Sequence, residues 1–284
     1  MGTLSGRVAV VTGSNRGIGK AIARRLTAEG AHVVINGRDA ATAHAAAADI
    51  AATAGSAPLV IPGDVADPAF IEQLIETTVS TLGPIDILVN NAWGGTRINR
   101  LENKDVQMFT DAFDLAFYSS LRLMQAVFPS MKEKGWGRIV NIGSLNGVNA
   151  HVYSAEYNVA KEALRTLTRT AAREWFRYGI VANVVCPFAR VERHDLAWGD
   201  QADVIATDIG SRLPAGRMGD PDLDIAGVVS FLCSEDARFL TGNTLFVDGG
   251  GHISGVAWEP VPQEDAEGLS NESSIHRVGI GKND

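Results

Sequence analysis

Seven short runs rich in valine and isoleucine alternate along this chain with longer stretches whose apolar residues recur at helical spacing. No other feature constrains the fold as strongly. The strand-like runs are 8–12, 32–36, 59–62, 85–90, 138–143, 180–186 and 244–247; the helix-like stretches are 17–29, 40–54, 68–82, 105–134, 155–178 and 222–234. Parallel neighbours cannot be joined by a hairpin; each crossover needs a long connection, usually a helix, which covers the sheet. The pattern therefore predicts one α/β domain: a doubly wound, seven-stranded parallel sheet with helices on both faces. The alanine-rich stretch 40–54 fits this scheme, since alanine is the best helix former.

Two segments break the alternation. Residues 188–213 are polar and charged, and they follow the C-terminal end of the sixth strand-like run. That position suits a substrate lid, with a mobile surface loop as the other reading. Residues 256–284 are rich in Glu, Ser, Asn and Gly, with six acidic and two basic groups. They read as an acidic, solvated tail beyond a catalytic domain spanning 1–255.

The tail holds half of a net charge of −8. An acidic chain lacks the basic face that nucleic-acid phosphates require. No run approaches the apolar length that spans a membrane, so no membrane partner is expected. Residues 1–7 carry no signal pattern. Cys186 and Cys233 each sit in an apolar run, as small hydrophobes do in a reducing compartment. A cytoplasmic protein without a metal site is the expectation.

The first strand-like run leads into Thr12-Gly13-Ser14-Asn15-Arg16-Gly17-Ile18-Gly19, which opens a helix. Glycines there let the backbone turn tightly and approach a phosphate, while the helix N-terminus supplies N–H groups and a positive dipole. This is the setting of a dinucleotide pyrophosphate in a Rossmann-type fold. Far downstream, Tyr157 and Lys161 lie four apart on a helix, hence on one face, and Ser144 precedes them by thirteen residues. Glycine turn and pair together describe an acid–base couple beside a nicotinamide.

This arrangement resembles the classical short-chain dehydrogenase/reductase family, from about Leu4 to Gly251. The resemblance implies Tyr157 as general acid/base. It gives Lys161 to lowering the phenol pKa and to binding the nicotinamide ribose, and Ser144 to the substrate carbonyl oxygen. It also implies cofactor contacts at Gly13, Ser14, Asn15, Arg16, Gly17, Ile18 and Gly19, at Asp64-Val65 beside the adenine, at Asn91-Ala92 and at Pro187. The second strand-like run ends in Asn36-Gly37-Arg38. Gly37 stands where NAD enzymes of the family carry a carboxylate. Arg38 and Arg16 flank the expected ribose 2′ position, where a guanidinium can grip a phosphate. NADP(H) is therefore favoured, with NAD(H) as the other candidate. Asp39 is a competing partner for Arg38.

The chain departs from the family pattern at three places. Trp93 intervenes between Asn90-Asn91-Ala92 and Gly94-Gly95 like a one-residue insertion. The asparagine of the fourth helix is missing, with Ala116 at its position and Asp114 nearby. Pro187 is followed by Phe188-Ala189-Arg190-Val191-Glu192, so the usual glycine and the threonine that holds the nicotinamide amide are gone. Trp93, Phe188 and Trp198 become the candidate substrate-pocket residues, two of them large apolar groups within the proposed lid. The expected activity is interconversion of a ketone and a secondary alcohol by a homotetramer or homodimer. The alternatives are a 3-oxoacyl-carrier-protein or CoA reductase and a cofactor-sensing regulatory protein.

Overall fold

A computed structural model describes residues 2–96 and 98–253; the proposed tail 256–284 and the boundary at 255 lie outside the described residues. Seven strands form one sheet: β1 Val8–Val11, β2 His32–Ile35, β3 Leu59–Val60, β4 Ile87–Asn90, β5 Gly137–Ile142, β6 Ile180–Pro187 and β7 Thr244–Val247. Their order is β3-β2-β1-β4-β5-β6-β7, and every pairing is parallel. The doubly wound sheet expected from the sequence is thus observed. β3 is short because the chain runs at once into Pro62, which has no N–H for the ladder.

The helices are α1 Gly17–Ala28, α2 Ala40–Ala54, α3 Pro68–Leu82, α4 Val106–Ala112, α5 Ser119–Lys134, α6 Leu145–Val148, α7 Ala155–Trp175, α8 Glu192–Trp198, α9 Ala202–Ser211 and α10 Ala226–Cys233. The two-residue strand period splits the core between the two faces. Ala9, Val11, Val33, Ile35, Ile87 and Val89 pack against α1, α2 and α10. Val8, Val10, Val34, Leu88 and Ile139 pack against α3, α5 and α7. The inner strands β1, β4 and β5 are buried on both faces, as parallel sheets require, while the edge strands β3 and β7 are half-buried.

Local signals set several helix ends. Asp39 caps α2 by accepting the Thr42 N–H at 2.8 Å, and Gly55 ends that helix at φ +75°. Asp67 caps α3, with Pro68 in its first turn.

The single helix expected over 105–134 is instead three pieces, with a π-helical segment Phe113–Tyr118 between α4 and α5. The Ser119 and Ser120 hydroxyls donate to the carbonyls of Leu115 and Ala116, four residues back, and the rings of Phe113, Phe117 and Tyr118 meet in tilted and edge-on contacts. Both effects favour a widened turn there. The polar segment 188–213 is not an irregular loop; most of it is α8 and α9. Arg190 joins them, bonding Asp195 at 2.6 Å and Asp203 at 2.8 Å. Among the described residues no helix is long and apolar enough to cross a membrane, and no cluster of metal-ligating side chains occurs.

β2 and β4 flank β1, so successive crossovers leave β1 in opposite directions. The crevice between the C-terminal ends of β1 and β4 is the switch point at which such sheets bind ligands.

Candidate active site

The turn after β1 is held open toward that crevice by hydrogen bonds and by lack of room. Asn91 donates to the carbonyls of Thr12 and Gly13 at 2.8 and 3.0 Å. Gly13 has φ +62°, and a Cβ there would lie 2.8 Å from Ala92 Cα. A Cβ on Gly19 would lie 2.4 Å from both Asn91 Nδ2 and the Gly13 carbonyl oxygen. Only glycine fits either position. The N-terminus of α1 has no acidic residue in its first turn and no side-chain cap. These features fit a dinucleotide pyrophosphate.

In the structure the Gly17 N–H instead donates to Glu192 Oε2, at 3.1 Å. Val191 also reaches this glycine, since a Cβ there would lie 3.4 Å from Val191 Cγ1. α8 thus places a carboxylate on the anion-binding amide. Nothing local in the sequence announces Glu192, whose partner is 175 residues away.

Not every expected contact residue faces the crevice. The Ser14 hydroxyl is buried, donates to the Val11 carbonyl at 2.6 Å and accepts the Asn36 N–H at 3.1 Å. Ile18 packs on the core. These two side chains belong to the scaffold. Asn36, also missed, ties the turn to β3: it donates to the carbonyls of Ile61 and Gly63 at 3.2 and 3.1 Å.

Next to the turn lies a cavity of about 260 Å³, lined by Asn15, Arg16, Gly37, Arg38, Asp64, Val65, Ala92 and Trp93 among others. A Cβ on Gly37 would meet Asn15 at 2.5 Å, so no carboxylate fits there without rearrangement. Asp39 caps α2 rather than pairing with Arg38. Arg38 reaches Asp64 only at 3.9 Å, with the two side chains 66% and 43% exposed, a pair worth little in water. The Arg16 side chain is exposed and makes no hydrogen bond or ion pair with the described residues. Two guanidiniums therefore remain available to a ribose phosphate in this cavity.

Deeper in the crevice the three expected catalytic residues converge. Ser144 lies two residues beyond β5 and caps α6, its Oγ accepting the Asn146 N–H at 3.1 Å. It also stands close enough to Tyr157 to act on the phenol. Tyr157 and Lys161 lie one turn apart on α7, and Lys161 Nζ donates to the Ile142 carbonyl at 2.7 Å. Burial pushes the Tyr157 phenol above its ordinary value, opposed by the Ser144 hydroxyl and by the charge of Arg193 on α8. Burial pulls Lys161 down to about 8. Among the groups that act on the phenol, burial is the largest and Lys161 does not figure. Cys186, behind the site on β6, is pushed up to about 12 by burial and is no nucleophile.

Of the candidate substrate residues, Trp93 alone stands at the pair, its ring centroid 4.7 Å from that of Tyr157. Phe188 lines a different cavity with Phe246, Val247 and Asp248, because its N–H continues the ladder to the Val247 carbonyl. Trp198 stacks on His194 within α8. Ala116 is buried with Ala112 and Ala160, and Trp93 and Phe113 pack against that cluster. No hydrogen bond links Asp114 to Lys161; the Ile142 carbonyl accepts the lysine's hydrogen bond.

The family model described as Enoyl-(Acyl carrier protein) reductase matches residues 13–252. The chain is similar to the 3-oxoacyl-(acyl-carrier-protein) reductase of Salmonella typhimurium, at 38% identity over 250 residues, covering 87% of this chain and 98% of that one. Its fold is similar to that of levodione reductase, with a TM-score of 0.83 and 29% identity over 88% of this chain and 99% of that one. It is also similar to L-sorbose reductase from Gluconobacter frateurii complexed with NADPH and L-sorbose, with a TM-score of 0.81 and 32% identity, covering 88% and 98%.

Proposed function

The chain belongs to the short-chain dehydrogenase/reductase family, and from that premise we propose which of its residues carry the reaction. It is an NAD(P)(H)-dependent oxidoreductase that interconverts a ketone and a secondary alcohol, with NADP(H) the favoured cofactor. The observation carrying the assignment of roles is the convergence of Ser144, Tyr157 and Lys161 at the switch-point crevice. When bound, the dinucleotide supplies or accepts the hydride. The glycine turn would hold its pyrophosphate, and Arg38 and Arg16 its 2′-phosphate. Ser144 stands close enough to the Tyr157 phenol to act on it, so both hydroxyls can reach a single substrate oxygen. Ser144 donates to that oxygen as charge develops, and Tyr157 gives it a proton. A phenol kept protonated by burial is in the correct form to be the acid of ketone reduction. Lys161, fixed by Ile142, keeps a positive charge beside the phenol.

Lys161 is protonated below about 8. Its charge is lost above that pH while the phenol, shifted upward, keeps its proton. We therefore expect kcat for ketone reduction to be level on the acid side and to fall with a midpoint near pH 8. A profile flat well beyond that pH speaks against a working Lys161 ammonium. Turnover is found by following nicotinamide absorbance against a panel of ketones and alcohols; the absence of any turnover counts against the assignment.

Glu192 competes for the amide that the pyrophosphate needs. Glu192→Gln removes this charge and the repulsion of a dianion, so NADPH is expected to bind about five- to tenfold tighter, roughly 1–1.4 kcal/mol. Titration calorimetry on both proteins reads this directly, and equal or weaker binding by the variant contradicts it.

Similarity to the Salmonella protein supports a second reading, reduction of a 3-oxoacyl group on a carrier protein or CoA. The proposal extends to a cytoplasmic homotetramer or homodimer. Tyr118 and Val159, 41% and 47% exposed, supply apolar surface for a subunit contact.

A further inference from the structure

Lys161 is a buried cation with little to compensate it. It is 3% exposed, makes one hydrogen bond, to the Ile142 carbonyl, and no carboxylate among the described residues pairs with it. Such a group is costly unless something replaces its lost hydration. Two aromatic rings stand around the ammonium: the Nζ lies 5.7 Å from the Trp93 ring centroid and 5.8 Å from that of Tyr157. Both distances are within the range of cation–π attraction, and an indole face is the strongest of the aromatic partners.

Trp93 reaches this place because its surroundings are cut to admit it. The walls from α4, the π-helical segment and α7 present Ala112, Ala116 and Ala160, all buried and each offering only a methyl group. The indole Nε1 is buried without a hydrogen-bond partner. Packing and the ammonium, rather than a hydrogen bond, therefore hold the ring.

We propose that Trp93 is a positioning residue for the reaction, its indole forming with the Tyr157 ring an aromatic slot that holds the Lys161 ammonium against the Ile142 carbonyl. The proposal rests on the reading of Tyr157 and Lys161 as the reacting pair. It also accounts for the alanine at position 116: a larger side chain there would occupy the space of the indole. Several titratable or charged groups stand around the slot. Tyr157 shares α7 with Lys161; Cys186 comes from β6 and stays a neutral thiol; Arg193 on α8 acts on the phenol. Arg38, Asp111 and Glu156 line a cavity with Trp93. Losing the indole also changes the burial of Lys161, the largest influence on its proton affinity; fluorination of the indole leaves burial and these charges in place, so a stepwise fall with fluorination reports the π face itself.

The test follows the Lys161 titration itself, by the ¹³Cε shift of lysine in isotope-labelled full-length protein, with Lys161→Met to identify the resonance. Trp93→Leu removes the π face and is expected to weaken Lys161 proton affinity about tenfold; Trp93→Phe, with a weaker face, is expected to fall between. Should the leucine variant fail to fold, replacement of tryptophan by 5-fluoro- and 5,7-difluorotryptophan lowers the π charge without changing shape. The midpoint is then expected to fall stepwise with fluorination. A midpoint indifferent to both phenylalanine and fluorination overturns the proposal. Because no substrate or cofactor enters the measurement, that failure is distinct from failure of the catalytic assignment, which turnover alone decides.

Discussion

Tyr157→Phe is expected to lower kcat for ketone reduction at least about a hundredfold, with NADPH affinity nearly unchanged. The substitution keeps the ring, and with it the packing against Trp93 and the contact with Lys161. It removes the one proton that Ser144 and the buried lysine are arranged around. The effect should fall on kcat because proton transfer from the phenol occurs only at the reacting oxygen, whereas the pyrophosphate and ribose phosphate would bind elsewhere in the crevice. Steady-state kinetics together with a direct binding titration separate the two. Near-normal turnover would mean that another group delivers the proton.

Arg38→Ala is expected to weaken NADPH about ten- to a hundredfold and NADH much less, since only the former carries a 2′-phosphate. A charge-assisted contact of about 1.5–3 kcal/mol supplies this difference. The structure strengthens the expectation, because Asp39 is engaged at the cap of α2 and the nearest carboxylate, on Asp64, is a loose partner at 3.9 Å. Gly37 adds to it, leaving no side chain to compete for the ribose. Dissociation constants for both nucleotides, measured on both proteins, give the ratio. Equal losses would show that Arg38 does not read the phosphate.

The parts of this site legible in the sequence are those set by local rules. Strands two-sided in their burial, caps such as Asp39 and Asp67, and a glycine turn between strand and helix all announce themselves over a few residues. Tyr157 and Lys161 were legible because helical spacing alone puts them on one face. Helices α8 and α9 were not, since their Leu196 and Val204 are exposed and leave no apolar period to read. Ion pairs from Arg190 join them instead. Phe188 was misjudged because strand register, not composition, turns it toward Phe246. Trp198 was misjudged because its partner is His194, four residues earlier on the same short helix. The π-helical turn at Phe113–Tyr118 and the placement of Glu192 on Gly17 depend on contacts that no local pattern announces.

The central claim is hydride transfer to a carbonyl carbon with proton delivery from Tyr157, in a chain matched by a family model that is itself described as an enoyl reductase. The most direct measurement uses NADPH carrying deuterium at the transferred position of nicotinamide C4, with a ketone that the panel shows to be turned over and a 2-enoyl thioester offered in parallel and the products read by mass spectrometry. The account predicts one deuterium on the carbinol carbon of the alcohol product, no saturation of the enoyl compound, and loss of the labelled alcohol in Tyr157→Phe. Deuterium in a saturated acyl chain, or label in the alcohol undiminished by Tyr157→Phe, would contradict it.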